Sequence, residues 1–519
     1  MKVQHGDIID RSHLESFDFS TLNRKQHLVV AILKEHLDEL RDPPAGGVKQ
    51  LLALVRGTAG VGKSHTINAL VRLCTLYLQP EEFELCAPTG CAACNVGGCT
   101  LHSAFQLPIR GAPTELTELK AGRLQGNCGG LRVLIVDEDS MVGRKMLGFL
   151  DARMHQGKQG RGVARDVPFG GVSVILVGDE GQLPPVLEKP KYVMDCYSDH
   201  YAQYEAGGNR LYLLFKTVVL LDEVVRQDPN DPFYQLLLRV RRGDIRREDW
   251  NTLCTRRLSN LPAHEQRMFA SGTVQLFSVK QKAREYNESC LQNLGQPVAV
   301  CNAVHGGNES LARGLSPDLF GGLQQQLKLS VGALVMLRMN LWVNQKLVNG
   351  TIGTVVAILY SDPTVGPPHL PSGVVVHVPG YTGPAFHNEP GHILVTPVEF
   401  GHVYQGRQRV TRTQLPLVLA WGITIHKSQG MTIGPGHPLE RVKIDFGGEE
   451  FCLGLVFVAL SRATSLSDLA FDPMPDFQRL LSIAKSKMLA GRLAEMARIE
   501  ELDAQTEREF RHLRDMVLP

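Results

Sequence analysis

Gly57-Thr58-Ala59-Gly60-Val61-Gly62-Lys63-Ser64 follows the apolar run Leu51–Val55 and precedes the helix-compatible stretch His65–Leu78. A strand that enters a glycine-rich turn and then a helix presents several free backbone N–H groups at one point, where the helix N-terminus favours negative charge. The glycines let this backbone close around a polyphosphate, Lys63 can reach the β and γ phosphates, and Ser64 can bind Mg²⁺. The stretch predicts a nucleotide-binding loop, with a purely structural glycine-rich turn as the alternative.

Three further apolar runs in the first half of the chain end in polar residues. They are Phe83–Cys86, Leu131–Val136 and Val172–Val177. Buried parallel strands have this pattern, and their carboxyl ends meet at one edge of the sheet. The pattern predicts a doubly wound α/β domain whose chemistry lies at that edge.

The residues that follow two of these runs are candidates for catalysis. Asp137 is expected to hold Mg²⁺, usually through water, and Glu138 to accept a proton from the attacking water. An acidic pair at a strand end is common, so this interpretation depends on Lys63 and Ser64 upstream. Gln182, after the third run, lies where a side-chain amide would sense a γ-phosphate.

From about residue 211 the α/β pattern begins again and predicts a second domain of similar style. Its strand-like runs are Val218–Leu221, Val274–Phe277, Pro416–Trp421 and Leu455–Leu460. Arg226 and Arg462 stand near strand ends. At the seam of two such domains an arginine stabilises the transferring phosphoryl charge, whereas a surface position is the usual alternative.

Two segments break the α/β rhythm. Residues 329–410 are rich in glycine and proline with short β-type runs, which predicts a small inserted β-barrel. From about Asp476, apolar residues recur at helical spacing among charged ones, which predicts one or two amphipathic helices docked on the body. Residues 1–20 have the pattern of an irregular leader.

Composition narrows the class of protein. The 519 residues are 43% hydrophobic and 21% charged, and no apolar run approaches the ~20 residues of a membrane span. The net charge is only +2, so a nucleic-acid site has to be a local patch. The first 20 residues are too acidic for a transit peptide and lack the apolar core of a signal peptide. We expect an intracellular protein, with the nucleus favoured over the mitochondrion.

The eleven cysteines do not indicate a disulfide framework, because their number is odd and they are scattered. Four of them, Cys86, Cys91, Cys94 and Cys99, raise the question of zinc. Their spacing lacks the paired C-x2-C knuckles of common structural zinc sites, so small buried residues are the preferred interpretation.

The motifs, taken in order over residues 20–475, resemble superfamily 1 DNA helicases of the 5′→3′ class. The resemblance is to the petite integration frequency helicases, with the RecD subunit a more distant relative. It is carried by Leu22-Asn23…Gln26, Gly57–Ser64, Ala87–Gly90 with Thr100–Ser103, Asp137–Met141, Gly178–Pro185, Val225–Gln227, Thr424–Gly430 and Val458–Arg462.

The resemblance implies an architecture of two RecA-like doubly wound parallel-sheet domains. The first would cover residues 21–210, with a strand-separating wedge at about 105–128, and the second residues 211–328 and 411–475. The insert at 329–410 would be a small β-barrel, and 476–519 the C-terminal helices.

The implied activity is that of an ATP hydrolase and DNA helicase that moves 5′→3′ on single-stranded DNA and opens forks, using ATP and Mg²⁺. The monomer is the expected form, with no membrane partner. The resemblance implies a role in DNA repair, DNA recombination or telomere maintenance, and the motifs are common to all three.

The resemblance also assigns residues to three roles. Catalysis would use Lys63, Glu138, Gln182, Arg226 and Arg462, with Ser64 and Asp137 at the metal. Nucleotide binding would use Gln26, Gly57, Thr58, Ala59, Gly60, Val61, Gly62, Lys63, Ser64 and His65. DNA binding would use Thr89, Thr100, His102, Thr424, His426 and Lys427.

Two alternative functions are a single-strand binding protein and an RNA-directed ATPase. A transposon-derived or truncated relative could bind single strands with little productive unwinding, but such a copy is expected to lose some catalytic residues. An RNA-directed ATPase would need a different sequence at His426–Gly430. Three departures from the family pattern stand out: Asp139, Glu180-Gly181 and Val279-Lys280. Asp139 adds negative charge beside the acid pair, which is expected to alter metal affinity.

Overall fold

The computed structural model describes residues 17–519 except 109, 110, 114, 161, 163, 165, 196, 198, 199, 226, 227, 229, 271, 272, 343, 344, 346, 405–407, 438 and 449–451. Arg226 and the first sixteen residues of the predicted leader lie outside the described residues. The chain divides into two compact units. Unit 1 comprises Met1–Asp249, Glu449–Ser461 and Phe477–Pro519, and unit 2 comprises Trp250–Gly448 and Arg462–Asp476.

Unit 1 is organised around a six-stranded parallel sheet with the order β3-β2-β4-β5-β1-β6. Its strands are β1 (Leu52–Gly57), β2 (Phe83–Ala87), β3 (Cys99–Thr100), β4 (Val133–Val136), β5 (Ser173–Gly178) and β6 (Thr217–Leu221). Successive side chains enter opposite cores: Val55 and Ile135 pack on one face of the sheet, and Leu54 and Leu134 on the other. Because both faces are covered, the strands are nearly continuous apolar runs, as the sequence predicts.

The helices of both units are α1 (Arg24–Arg41), α2 (Lys63–Tyr77), α3 (Gly90–Asn95), α4 (Leu101–Ala104), α5 (Glu118–Gly129), α6 (Arg144–Gly157), α7 (Ala202–Leu213), α8 (Pro232–Arg242), α9 (Arg247–Cys254), α10 (Ala263–Ala270), α11 (Lys280–Asn293), α12 (Glu309–Gly314), α13 (Leu455–Leu460), α14 (Phe477–Leu481) and α15 (Lys487–Glu509). The start of α1 is set by a capping box, in which the Asn23 side chain accepts from Gln26 N at 2.9 Å and Gln26 Oε1 accepts from Asn23 N at 3.1 Å.

Among the described residues, no helix is both long and apolar enough to cross a bilayer.

The C-terminal helix α15 covers the edge strand β6. Val218 N donates to Thr506 Oγ1 at 2.9 Å, and Leu220 N donates to Asp503 Oδ1 at 2.8 Å. An exposed edge strand leaves backbone groups unpaired, so these two side chains satisfy donors that a further strand would otherwise satisfy. Asp503 also forms an ion pair with Lys25 of α1 at 2.7 Å. The tail is therefore an integral part of unit 1.

Two sequence-based strand assignments are corrected. Val218–Leu221 pairs with β1 in the sheet of unit 1, although the sequence assigned it to the second domain. Leu455–Leu460 forms helix α13, with every residue buried, rather than a strand. A short run that is apolar on all sides has no periodicity that separates a buried strand from a buried helix.

Unit 2 contains a four-stranded parallel sheet with the order β18-β7-β19-β20. Antiparallel strands form a five-stranded sheet, β14-β13-β12-β11-β17, a three-stranded sheet, β15-β16-β9, and the pair β10-β8. The strands are β7 (Val274–Phe277), β8 (Ala299–Asn302), β9 (Val304–Gly306), β10 (Gln326–Leu329), β11 (Leu334–Leu337), β12 (Ile352–Leu359), β13 (Gly373–His377), β14 (His392–Val395), β15 (Val398–Tyr404), β16 (Gln408–Gln414), β17 (Leu417–Leu419), β18 (Gly422–Thr424), β19 (Val442–Asp445) and β20 (Leu469–Phe471). The predicted strand Pro416–Trp421 thus belongs to the antiparallel part, and the parallel strand begins after it.

His36 of α1 makes the stability of unit 1 depend on pH. Its ring is buried, with Nε2 2.8 Å from Ser173 Oγ, and burial lowers the pKa of His36 to about 4. The unfolded chain therefore binds this proton at a higher pH than the folded chain does, so stability falls as the pH drops from ~6.5 towards ~4. We expect a loss of about 3 kcal/mol across that window. Urea denaturation over that range should show the loss, and His36→Gln should remove it; an unchanged pH dependence in the variant would contradict the assignment.

Candidate functional site

The glycine-rich loop joins the end of β1 to the start of α2. Gly60 and Gly62 have positive φ values of 89° and 79°, a backbone conformation that residues other than glycine rarely adopt. A Cβ added at Gly57 would collide with Val61, so the loop also needs glycine for space. Lys63 Nζ donates to Gly57 O and to Thr58 O, both at 2.9 Å. The Lys63 side chain therefore lies over the loop in which it is predicted to bind phosphates. Ser64, the next residue, is exposed.

Two contacts join the segment Thr21–Gln26 to the loop region and the start of α2. Gln26 is buried, and its Nε2 donates to Val61 O at 3.4 Å. A Cβ at Gly62 would collide with the same Nε2 atom. His65 Nε2 lies 2.9 Å from Thr21 Oγ1. The start of α1 and the glycine-rich loop are thus in contact.

The acid pair follows β4, two strands away from β1 in the same sheet. Asp137 is buried and accepts from Glu138 N at 2.8 Å. Burial and the neighbouring Glu138 carboxylate raise the pKa of Asp137 to about 8, and the positive charge of Lys63 opposes this shift. Glu138 has a positive φ of 48°, a conformation that costs free energy in a residue other than glycine and occurs often at functional sites.

The sensor loop, Gly178–Gln182, follows β5 between β4 and β1. Asp179 is fully buried, and its Oδ1 accepts from Arg241 Nη2 at 2.7 Å and from Gly181 N at 2.8 Å. Burial disfavours its charged form, but Arg241 and Lys63 outweigh burial and lower the pKa of Asp179. Its Oδ2 is buried with no hydrogen-bond partner among the described residues. Gln182 is buried at the end of the loop.

A buried ion cluster of Arg56, Asp139, Glu180 and Lys191 lies behind these segments. Arg56 donates from Nη2 to Asp139 Oδ2 at 2.9 Å, and its Nε lies 2.6 Å from Glu180 Oε1. Lys191 Nζ lies 2.9 Å from Asp139 Oδ2. Burial disfavours the Asp139 carboxylate, but the two cations outweigh burial and lower the pKa of Asp139. Two of the departures from the family pattern, Asp139 and Glu180, are therefore members of one buried ion cluster.

Replacing Asp139 with leucine should destabilise unit 1 strongly. The variant leaves Lys191 and one side of the Arg56 guanidinium buried without their carboxylate, although Lys191 keeps its hydrogen bond to the main-chain oxygen of residue 139. Removing one partner of a buried ion pair typically costs about 3–5 kcal/mol. Asp195→Asn is a matched control, because Asp195 pairs with Lys189 at the surface, at 3.2 Å. Thermal melting should show a large fall for Asp139→Leu and no resolvable fall for Asp195→Asn. A parental midpoint in Asp139→Leu would mean that the cluster contributes nothing.

The residues predicted to contact DNA in unit 1 lie at the ends of β2 and β3. These strands are parallel neighbours with Ala87 opposite Thr100. Thr100 caps α4, accepting from Ser103 N at 3.2 Å, and Thr89 Oγ1 accepts from Ala92 N at 3.3 Å. His102 is half-buried, and burial lowers its pKa.

The corresponding residues of unit 2 lie at the carboxyl end of β18. Thr424 stands opposite Phe277 of the parallel neighbour β7, so the turns after both strands meet. Burial and the nearby charge of Lys280 lower the pKa of His426. Lys427 is exposed. The departure Val279-Lys280 therefore lies beside the predicted DNA residues.

The two predicted arginine fingers differ in what the structure describes. Arg462 belongs to unit 2, is buried, and donates from Nη1 to Met431 O at 3.1 Å. Arg226 lies outside the described residues.

The cysteine cluster lies on neighbouring strands of unit 1. Cys86 is buried on β2, and its Sγ lies 3.6 Å from Cys99 Sγ on β3. Together with Glu84 these residues place three potential ligand atoms within 4.8 Å of one another. The side chains of Cys91 and Cys94 lie outside the described part of the chain.

The sequence of this chain is similar to those of known helicases. The model of the family described as PIF1-like helicase matches residues 47–251, which include the glycine-rich loop, the acid pair and the sensor loop. The human ATP-dependent DNA helicase PIF1 is 32% identical over 425 residues, which cover 80% of this chain and 58% of the human protein. Over residues 47–251 the chain matches the PIF1-like helicase family.

Solved structures of PIF1-like helicases share the fold. The crystal structure of the Pif1 helicase from Candida albicans has a TM-score of 0.67 at 25% identity, covering 92% of this chain and 99% of that one. A Pif1 helicase from Bacteroides, crystallised with ADP-AlF3 and ssDNA, has a TM-score of 0.61 at 22% identity, covering 91% and 97%. The prediction of an α/β fold with RecA-like domains is confirmed.

Several residues of this PIF1-like site were not found from the sequence. They are Arg56, Lys191, Arg241 and Arg492. Arg56 ends the apolar run of β1, and a cation at that place is a signal for a buried acid. Taken together, the added acids Asp139 and Glu180 indicate a buried cationic partner, whereas each on its own does not. Arg241 and Arg492 gave no such signal, since arginines on helices are usually exposed.

Proposed function

We propose that this chain is an ATP-dependent DNA helicase that moves 5′→3′ along single-stranded DNA and unwinds duplexes. One observation carries the proposal: the carboxyl ends of β1, β4 and β5, three neighbouring strands of one parallel sheet, bear Lys63, the acid pair and Gln182. Ligands of open α/β sheets bind at such an edge. The human relative, which carries the name ATP-dependent DNA helicase, is considerably longer than the part that this chain matches.

The residues present suit a nucleotide with a divalent cation. The loop has no room for side chains at Gly57 and Gly62, as a cradle for phosphate requires. Ser64 and Asp137 would hold Mg²⁺, since hydroxyl and carboxylate oxygens suit this ion. Asp137 is also buried, and a nearby cation would stabilise its carboxylate. The ion would supply positive charge to the phosphate oxygens.

Each side chain then has a chemical role. When nucleotide binds, Lys63 replaces its hydrogen bonds to two loop carbonyls with hydrogen bonds to oxygens of the β and γ phosphates. A hydrogen bond between two charged groups is stronger than one to a neutral carbonyl. Glu138 accepts the proton of the attacking water. Gln182 donates to the γ-phosphate and so reports whether it is present. Gln26 contacts the adenine. Because these four groups all belong to unit 1, a single chain supplies them, and we take the monomer as the catalytic form.

DNA would be bound by Thr89, Thr100 and His102 of unit 1 and by Thr424, His426 and Lys427 of unit 2. Threonine hydroxyls and neutral imidazoles suit phosphate and sugar contacts, which position a strand without reading its sequence. The depressed pKa values of His102 and His426 keep both rings neutral, and therefore able to accept as well as donate. Within this proposal, residues 105–128 act as the strand-separating wedge and residues 329–410 as the inserted barrel. A nuclear location is part of the same proposal.

ATP turnover titrated with single-stranded DNA and then with RNA tests the proposal. We expect stimulation by DNA and little by RNA, with Lys63→Ala as the inactive control. Partial duplexes with either a 5′ or a 3′ single-stranded tail then give the polarity. Unwinding of only the 3′-tailed duplex would overturn the direction, and tight DNA binding without stimulated turnover would favour a binding protein.

A further inference from the structure

We propose that Arg492 of the C-terminal helix α15 is a positioning residue for the sensor loop, holding the main chain from which Gln182 meets the γ-phosphate. This inference rests on the proposed ATP hydrolysis. It assigns to the C-terminal tail, which lies beyond the helicase motifs, a direct part in how the nucleotide site is built. The proposal does not place Arg492 itself in contact with the substrate.

The Arg492 guanidinium is tied to three main-chain carbonyls. It is 2% exposed, and it donates from Nη1 to Gly181 O at 3.1 Å and from Nη2 to Gln182 O at 2.9 Å. Nη2 also donates to Leu453 O at 3.1 Å, just before α13 begins. A planar guanidinium has donors in fixed directions, so two successive carbonyls bound at once define the orientation of their peptide planes.

Close approaches on the other sides leave the sensor loop little freedom. A Cβ added at Gly181 would collide with Arg241, whose guanidinium holds the Asp179 carboxylate. A Cβ added at Gly454 would lie 2.7 Å from Gln182 O, so the main chain before α13 packs directly on the loop. Arg241 therefore fixes the beginning of the loop and Arg492 fixes its end, where Gln182 is attached.

Helix α15 is itself anchored, so Arg492 has a defined position. Tyr212 donates to Glu495 Oε1 at 2.6 Å, one turn after Arg492, and Thr506 and Asp503 bind the edge strand β6. Binding energy that holds a functional group in place lowers the cost of reaching the reactive geometry. A shift of α15 would therefore move the main chain that carries Gln182.

The experiment compares Arg492→Met with Arg508→Met in the same chain. Arg508 is an exposed residue of the same helix, so its loss removes the same charge without removing the carbonyl contacts or the Glu495 contact described above. ATP turnover is measured with single-stranded DNA, and the affinities for ADP and for a non-hydrolysable ATP analogue are measured separately. We expect Arg492→Met to lower kcat by about 10- to 100-fold, the usual effect of losing an outer positioning contact, and Arg508→Met to stay near the parental rate.

The affinities separate positioning from a purely structural role. A misplaced Gln182 should weaken the ATP analogue, which has a γ-phosphate, and leave ADP affinity unchanged. Equal weakening of both ligands together with a lower melting temperature would overturn the proposal in favour of a structural role. Should Arg492→Met fail to fold, Arg492→Lys replaces it, because lysine keeps the charge but cannot bind the same carbonyls with a planar fork.

A double variant tests whether Arg492 acts through Gln182. If it does, Gln182→Ala with Arg492→Met should turn over ATP no more slowly than Gln182→Ala alone, since effects through a shared partner are not additive. Losses that multiply would overturn the inference. A parental chain without any ATP turnover would refute the proposed function instead, and the ratio of ADP to analogue affinity would still decide the role of Arg492.

Discussion

Replacing Glu138 with glutamine should abolish ATP turnover while nucleotide affinity is retained. The amide has nearly the same shape but cannot accept the proton of the attacking water, and loss of a positioned general base typically lowers the rate by about 10²–10⁴-fold. Glu138 suits this role because it lies beside the buried Asp137 and ahead of a turn that holds it at a positive φ of 48°. Single-turnover hydrolysis and fluorescent nucleotide binding measure the two quantities separately.

Lys63→Ala and Glu501→Gln provide the contrast and the control. Lys63→Ala removes the charge that binds the phosphates, so affinity and turnover should fall together. Glu501 is an exposed residue of α15, and its replacement by glutamine should change neither quantity. Near-parental hydrolysis in Glu138→Gln would show that another group is the base.

Replacing Arg462 with alanine should collapse DNA-stimulated turnover. We propose that Arg462 supplies positive charge to the transferring phosphoryl group, and such arginines contribute on the order of 10³-fold or more to kcat. Arg462→Lys should also be slow, because an ammonium group cannot make the two parallel hydrogen bonds of a guanidinium. The same experiment on Arg226 tests the other predicted finger.

The control for Arg462 has to account for its burial. Arg462 donates to Met431 O, so the alanine variant removes a structural contact as well as a charge. Arg441→Ala removes an arginine of the same unit that pairs with Glu440 at 3.2 Å near the surface, and it should retain parental turnover. A large fall in melting temperature for Arg462→Ala with normal specific activity would make Arg462 a structural residue.

The buried ion cluster changes how the departures from the family pattern are interpreted. From the sequence, Asp139 was expected to add charge beside the acid pair and alter metal affinity. In the structure its carboxylate binds Arg56 and Lys191, so most of its charge is balanced within the interior. The cluster joins the end of β1, the turn after β4 and the turn after β5, the three segments that also carry the candidate catalytic groups.

The sequence by itself determined the elements whose signal is local. The glycine-rich loop, the helix that follows it and the apolar strands β4 and β5 follow from residues that lie next to one another in the chain. Glycine spacing and continuous apolar runs reflect backbone geometry over fewer than about ten residues, so no distant contact is needed to recognise them. The order of the motifs then sufficed for the fold class and for most of the candidate nucleotide site.

Only the tertiary structure decided what depends on distant partners. Val218–Leu221 joins the first sheet because β1 offers it a parallel neighbour. Leu455–Leu460 is buried at every residue, so its pattern fits a strand and a helix equally, and only the structure shows that it is a helix. The same holds for Arg492, which reaches the Gln182 carbonyl from 310 residues further along the chain. A buried cation is stable only where a fold brings carbonyls or carboxylates to it, and such a meeting of separate segments leaves no pattern in the local sequence.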